Sequence, residues 1–151
     1  MKIYMDNCCY NRPYDNYTDE QSVAEVAAIK AITAICKRAG FIIYGSSAVT
    51  DEIDAFQDSK PEKWRDVRDF YNRTDKIYLS PTPAIMARAQ GFMAAGLGDY
   101  DSFHLAYAEA AGVDVLLSTD KRFINACARE QLSIVNVMNP IIFLPEVEKW
   151  L

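Results

Sequence analysis

Short apolar segments alternate with longer segments of helical pattern along most of this chain. The apolar segments are rich in β-branched and aromatic side chains, which is typical of buried strands. Strands that are joined through helices form a parallel sheet covered on both faces. The order of elements therefore predicts an α/β fold, a three-layer α/β/α sandwich with a central parallel sheet. We predict strands at residues 2–6, 41–44, 77–79, 113–118 and 133–136.

The length favours a single domain over residues 1–151, which would bury roughly 70% of the surface of the unfolded chain. No apolar run approaches the ~20 residues of a membrane helix, and the first residues lack a signal-peptide pattern. We therefore expect a cytoplasmic protein without membrane contact. The net charge of −5 argues against a broad basic face for nucleic acid, although cations held by the acids would reverse the local sign.

The cysteines do not form a metal-binding or disulfide pattern. Cys8 and Cys9 are adjacent, Cys36 and Cys127 are far away, and no C-x-x-C pair is present. We expect them to be small buried apolar residues. A redox role for the pair beside Asp6 is the alternative.

Local signals predict where the helices begin. Thr18 with Gln21, and Ser59 with Glu62, have the spacing of capping boxes. Further helices are expected after Ser46-Ser47, at Thr82-Pro83, over residues 100–111 with Asp99 as the cap, and near 121–130. Gly40 is expected to end the first long helix, and the proline-containing tail 139–151 to pack irregularly.

Acidic residues lie where predicted strands meet predicted helices. The carboxyl ends of parallel strands meet at one edge of a sheet, where ligands bind. Carboxylates that meet there repel one another and need a proton or a cation. The pattern thus indicates a divalent metal site and phosphodiester chemistry. The residues concerned are Asp6, Glu52, Asp99, Asp101 and Asp120.

Each acid also has an ordinary structural interpretation. Asp6 could be a turn residue at a strand end, and Asp99 and Asp120 could be helix N-caps. Glu52 has acidic neighbours, Asp51 and Asp54, and such a helix usually has a solvated acidic face. The metal interpretation rests on the set rather than on any one position.

Several motifs together resemble the PIN domain family. The segments that carry the resemblance are Tyr4-Met5-Asp6-Asn7, residues 46–53, residues 98–108, and Leu116 to Phe123 with its Ser-Thr-Asp-Lys-Arg-Phe ending. The family comprises Mg²⁺- or Mn²⁺-dependent ribonucleases and includes the VapC-like toxins of toxin–antitoxin pairs. The resemblance implies an endoribonuclease that cuts single-stranded RNA. It implies further partners: an antitoxin protein and a second copy of the chain.

The resemblance also implies roles for individual residues. Asp6, Glu52, Asp101 and Asp120 would be catalytic. Asp6, Asp101 and Asp120 would bind the metal, with Asp99 as an accessory acid. Glu52 would position or deprotonate the attacking water, and Asn7 and Thr119 would orient ligands. Family members commonly carry one residue between the first Asp and the Asn, whereas here Asn7 follows Asp6 directly.

Candidate RNA contacts flank the acids. Arg12 and Tyr14 lie in the segment after Asp6, and Lys121 and Arg122 follow Asp120. Aromatic and arginine side chains stack on single-stranded bases, but loop tyrosines can instead pack on the body and a basic helix start can be solvated. For His104, the sole histidine, we expect a structural role.

Two rival functions fit parts of the pattern. In an aspartyl phosphatase of the dehalogenase type, a strand-end Asp attacks phosphorus and a second acid follows two residues later. Here Cys8 occupies that place, which disfavours this function. The stronger rival is a catalytically inactive PIN-like module that binds RNA or a protein partner.

Overall fold

A parallel sheet of five strands forms the centre of the protein. The strands are β1 Lys2–Met5, β2 Ile42–Ser46, β3 Ile77–Leu79, β4 Val115–Leu117 and β5 Val137–Met138, and they lie in the order β3-β2-β1-β4-β5. The structure is a computed structural model, which describes residues 1–150. The three inner strands, β2, β1 and β4, are largely buried, as a sheet covered on both faces requires.

Helices cover both faces of this sheet. The chain moves from β1 to β3 in one direction across the sheet and from β3 to β5 in the other. Right-handed crossovers therefore place the crossover helices between β1 and β3 on one face and those between β3 and β5 on the opposite face. This confirms the predicted three-layer α/β/α sandwich. The helices are α1 Asn7–Asn11, α2 Glu20–Ala39, α3 Ser47–Asp54, α4 Pro61–Arg73, α5 Pro83–Ala94, α6 Asp99–Ala111, α7 Lys121–Glu130 and α8 Pro140–Glu148, with a 3₁₀ turn at Arg12–Tyr14.

Some predicted helix ends are confirmed by the hydrogen bonds that cap them. The side chain of Ser46 accepts a hydrogen bond from the backbone N–H of Val49, and that of Thr82 accepts one from Ile85. Gly40 ends α2 with a φ of +71°, a conformation that favours glycine. These local signals needed no tertiary partner, which is why the sequence alone was enough to place them.

Three predicted helix starts are wrong. The N-cap of α2 is Asp19 rather than Thr18, because the Asp19 carboxylate accepts from the Ser22 N–H at 3.0 Å. No capping box forms at Ser59, because Pro61 occupies the first turn and α4 begins there. Asp99 is the first residue of α6 and not its cap, which is Gly98.

The C-terminal part of the prediction is also wrong. The last strand is Val137–Met138 rather than 133–136, and it pairs with β4 for two residues only. The tail is not irregular: Asn139 caps α8, whose Phe143 and Val147 are buried. The helix packs against α2, and this burial stabilises it although Pro145 lies inside it.

The topology defines one place for a site. The strand order reverses between β1 and β4, because β1 connects towards β2 while β4 lies on its other side. Ligands of open parallel sheets bind at such a switch point, at the carboxyl ends of the strands. Asp6 directly follows β1, and Ser118, Thr119 and Asp120 directly follow β4. No helix in the described part of the chain has both the length and the apolar character that crossing a membrane requires.

Candidate active site

Asp6 lies at the end of the central strand and is almost fully buried, with 1% of its surface exposed. Its backbone N–H donates to the Leu117 carbonyl at 3.1 Å, which extends the β1–β4 pairing by one residue. Its carboxylate is the N-cap of α1 and accepts from the Cys9 N–H at 3.3 Å. Asp6 is therefore a turn residue and also a buried acid at the switch point.

Asp101 and Asp120 line the same cleft, in which Gly96, Gly98 and Arg122 also take part. Asp101 lies in the first turn of α6, as the sequence predicted. Asp120 caps α7, where its Oδ1 accepts from the N–H groups of Arg122 and Phe123 at 3.0 and 3.3 Å. These bonds occupy one carboxylate oxygen, so capping leaves the second oxygen of Asp120 available to a ligand.

The pKa values of two acids show that the carboxylates interact. Burial raises the pKa of Asp6 to about 6, with a smaller contribution from the charge of Glu52, while a hydrogen bond from Ser118 opposes the rise. Burial also raises the pKa of Asp101 to about 7, and the charges of Asp6, Asp120 and Glu52 raise it further. Four of the five predicted acids thus share one electrostatic environment.

The environment of Cys8 also indicates that these acids lie close together. The negative charge of Asp6 is the largest cause that raises the pKa of its thiol, followed by burial and by Glu52, Asp120 and Asp101. A thiol held among carboxylates stays protonated, which argues against the redox role. Cys9 and Cys36 are buried as expected, and Cys8 and Cys127 are partly buried.

Glu52 is connected to the centre of the protein through His104. The Nε2 atom of His104 lies 2.8 Å from Glu52 Oε1, and its Nδ1 atom lies 2.7 Å from the hydroxyl of Tyr4. That hydroxyl lies 2.7 Å from Ser46 Oγ. No polar partner for His104 could be predicted from sequence alone, because its partners come from β1 and α3. One signal was present: His104 lies one helical turn after Asp101.

Asp99 is separated from the other acids. It lines a neighbouring cleft between α3 and α6, together with Ser47, Asp51 and Tyr107. Positions two residues apart on a helix do not face the same side, which explains why Asp99 and Asp101 line different clefts. The structure therefore brings together Asp6, Glu52, Asp101 and Asp120 and places Asp99 beside them.

Arg12 is engaged inside the protein. Its Nη2 atom donates to the Thr119 hydroxyl at 3.0 Å, and its other guanidinium nitrogens lie 3.2 Å from Asp15 and 3.1 Å from Glu25. Tyr14 packs edge-on against Phe70, at 6.3 Å between the ring centres. These contacts agree with the alternative in which this segment packs on the body of the protein. They also link Arg12 to the site through Thr119.

The basic residues after Asp120 are open to solvent. Lys121 and Arg122 are both exposed, and Arg122 lines the cleft of Asp101 and Asp120. Asn125 and Arg129 line the same cleft, one and two turns further along α7. A polymer that entered this cleft would meet two arginines and one amide next to the acids.

The side chains present fit a hard divalent cation in chemistry. Carboxylate oxygens predominate, and the buried Asn7 has an amide oxygen that finds no hydrogen-bond partner within residues 1–150. Across the same residues, no group of three or more His, Cys, Asp or Glu side chains has the geometry to hold a metal ion as it stands. Mg²⁺ is usually bound by one or two carboxylates together with water and substrate phosphate, and the acids at this site can supply those carboxylates.

Fold and site together define a parallel α/β protein whose carboxylates collect at the switch point of the sheet. The family model of the PIN domain matches residues 17–129, and the chain belongs to this family. PIN domains are generally nucleases. The crystal structure of PAE2754 from Pyrobaculum aerophilum is similar in fold, with a TM-score of 0.61 and 14% identity over 99% of this chain and 90% of that chain. No curated protein sequence matches the chain.

The family match covers Glu52, Asp99, Asp101 and Asp120 but begins after Asp6. The place of Asp6 in the site therefore rests on the structure, through the position of Asp6 after β1 and through its effect on the pKa of Asp101.

Proposed function

We propose that this protein is a Mg²⁺- or Mn²⁺-dependent endoribonuclease that hydrolyses phosphodiester bonds of single-stranded RNA. One observation carries the proposal: at a single edge of the sheet, the charges of Asp6, Glu52, Asp101 and Asp120 all raise the pKa of the Cys8 thiol, and those of Asp6, Glu52 and Asp120 also raise the pKa of Asp101. A cation would relieve this repulsion. Membership of the PIN domain family, whose nucleases act on RNA, supports RNA as the substrate class.

In this proposal Asp6, Asp101 and the free oxygen of Asp120 hold the metal, directly or through water. Asp99, in the neighbouring cleft, acts as an accessory acid through water. Asn7 offers its unpartnered buried oxygen beside Asp6, and Thr119 is held in place by Arg12. When bound, the metal would polarise the scissile phosphate and lower the pKa of the attacking water.

Glu52 accepts the proton of the attacking water. Its Oε1 is engaged by His104, so Oε2 is the oxygen that is free to take the proton. Only a quarter of its side chain is exposed. This keeps the carboxylate near the other acids while leaving it accessible to a water molecule.

The RNA backbone follows the cleft along α7. Arg122 and Arg129 contact phosphates and Asn125 contacts a phosphate or sugar oxygen, while Lys121 contributes charge at the start of the helix. These side chains provide positive charge beside the acids in a protein whose net charge is −5. The contacts are to the backbone, so they favour RNA binding without a strong base preference.

Cleavage of a fluorescent single-stranded RNA in the presence of Mn²⁺ tests the proposal. Wild type should cut it, and Asp6→Asn and Asp101→Asn should each lower kcat by roughly 100-fold or more. Asp58→Asn is the matched control, because it removes one exposed acid that has no part in the site. Equal cleavage by all four proteins would contradict the proposed site.

A second candidate is an inactive PIN-like module that binds RNA or a protein partner. The observation in its favour is that no three-ligand group is preformed among residues 1–150. If instead the chain is the toxin of a toxin–antitoxin pair, an antitoxin and a second copy of the chain are its protein partners. A Mn²⁺ titration separates the nuclease from the inactive module, because only the nuclease requires the metal.

A further inference from the structure

We propose that His104 is a positioning residue, which holds Glu52 in its working orientation and is itself fixed by Tyr4 and Ser46. The proposal rests on the proposed function, since it gives Glu52 its proton-accepting role. It adds a buried hydrogen-bond chain from β2 through β1 and α6 to α3, in the order Ser46, Tyr4, His104 and Glu52.

The donor and acceptor capacities of these side chains determine the direction of each hydrogen bond. An ionised Glu52 only accepts, so His104 Nε2 must carry a hydrogen and donate it. In the neutral imidazole Nδ1 then accepts, and the Tyr4 hydroxyl is its donor. The Tyr4 oxygen accepts from Ser46, and Ser46 Oγ accepts from the Val49 N–H at 3.4 Å. Every member of the chain is satisfied.

Burial stabilises this arrangement. Tyr4, Ser46 and His104 are each at most 1% exposed, so water cannot replace a missing partner. The Tyr4 hydroxyl can donate and accept at the same time, so it can bond to both His104 and Ser46. The imidazole ring also packs against the Tyr4 ring, at 5.6 Å between centres and tilted by 60°.

Glu52 depends on these hydrogen bonds for its orientation. The bond from His104 is the only side-chain hydrogen bond that its carboxylate makes within residues 1–150. A glutamate side chain has three rotatable bonds, and a fixed donor on Oε1 restricts where Oε2 lies. Misplacement of a reacting group by about 1 Å can cost roughly 100-fold in rate. The histidine therefore contributes to the reaction through Glu52, without touching substrate.

A matched pair of substitutions separates positioning from folding. In His104→Gln the amide nitrogen lies near the place of Nε2 and can still donate to Glu52. In His104→Asn the shorter amide lies near the place of Nδ1 and meets only Tyr4. Both variants are polar and neutral, so both leave a similar burial problem. We expect His104→Gln to cut RNA within about 3-fold of wild type, and His104→Asn to lose roughly 10- to 100-fold in kcat with little change in KM.

The pathway of the effect is tested in a second background. If His104 acts through Glu52, adding His104→Asn to Glu52→Gln should cause no further loss of kcat. An additional loss of the same size in both backgrounds would overturn the proposal. So would equal activity of His104→Gln and His104→Asn, or losses that simply follow their melting temperatures.

An independent readout does not require activity. His104 is the sole histidine of the chain, so its ring nitrogens give one unambiguous pair of ¹⁵N signals. We expect a protonated Nε2 and an unprotonated Nδ1, and we expect Tyr4→Phe to abolish this single form. The opposite tautomer would overturn the positioning proposal while leaving the nuclease proposal standing. If the wild type does not cut RNA, the nuclease proposal is overturned. The catalytic role of these hydrogen-bonded residues is then overturned too, whichever tautomer His104 has.

Discussion

The guanidinium of Arg12 donates a hydrogen bond to the hydroxyl of Thr119, at 3.0 Å and across 107 positions of the sequence. This contact joins the segment after β1 to the residue that precedes Asp120. Arg12 is itself held by Glu25, which is 2% exposed and also accepts from Asn139 at 2.5 Å. The position of Thr119 therefore depends on a buried ion pair between the 3₁₀ turn and α2.

Replacement of Glu25 should destabilise the protein. Glu25→Ala leaves the partly buried Arg12 with Asp15 as its remaining carboxylate partner, and we expect a loss of roughly 2 to 4 kcal/mol. Chemical denaturation measures it. Glu20→Ala, on the exposed first turn of the same helix, is the control and should cost less than about 1 kcal/mol. A similar small effect at both positions would show that the pair does not hold this region.

The metal-free protein should be more stable in mild acid than in mild base. The raised pKa values, about 6 for Asp6 and about 7 for Asp101, mean that the folded state binds protons more tightly than the unfolded chain. This contribution is complete below the unfolded pKa and is lost as pH rises through the folded pKa. We expect the free energy of unfolding in EDTA to fall by on the order of 2 to 3 kcal/mol between about pH 5 and pH 8.

The same argument predicts the effect of removing one of these charges. Asp101→Asn in EDTA should be as stable as wild type or more stable at neutral pH, and its stability should vary less with pH, because it relieves repulsion. If the free energy of unfolding of the wild type instead rises with pH, burial and mutual repulsion do not raise the pKa values of these acids.

Two substitutions at Asp120 distinguish its roles. Asp120→Asn can still cap α7 through its amide oxygen, so we expect nearly unchanged folding with loss of RNA cleavage. Asp120→Ala removes the cap as well and should cost about 1 kcal/mol more. Thermal unfolding and cleavage are measured on both variants. If Asp120→Asn cuts RNA normally, Asp120 is a helix cap and nothing more.

The cleft along α7 can be tested through the salt dependence of RNA binding. In EDTA, where no cleavage occurs, Arg122→Ala and Arg129→Ala should each reduce the slope of log affinity against log salt by roughly 0.7. Arg73→Ala is the control, because Arg73 lies at the end of α4, near the opposite edge of the sheet. Unchanged slopes for Arg122 and Arg129 would place the RNA elsewhere.

The sequence predicted those parts of the site that depend on local pattern. Asp6 and Asp120 could be placed at strand ends because apolar runs end there, and Ser46 and Thr82 could be placed as caps because capping is local. The family resemblance then grouped Glu52 and Asp101 with them.

The remainder depended on contacts between distant segments. The partner of His104 lies 52 positions away and that of Arg12 lies 107 positions away, and no periodicity encodes either bond. The strand β5 has two residues and is too short to show alternation. The helix α8 was missed although Asn139-Pro140 gives the same cap-and-proline signal as Thr82-Pro83, because the second proline, Pro145, argued against a helix.

The central claim is that acids from β1, α3, α6 and α7 converge on one divalent cation. Thermal unfolding during a Mn²⁺ titration tests it most directly. We expect the melting temperature of wild type and of Asp58→Asn to rise with added Mn²⁺. At 100 times the Kd, the free energy of unfolding should increase by about 2.7 kcal/mol. Asp6→Asn and Asp101→Asn should lose most of this response. Equal responses in all four proteins, or none in the wild type, would contradict the claim.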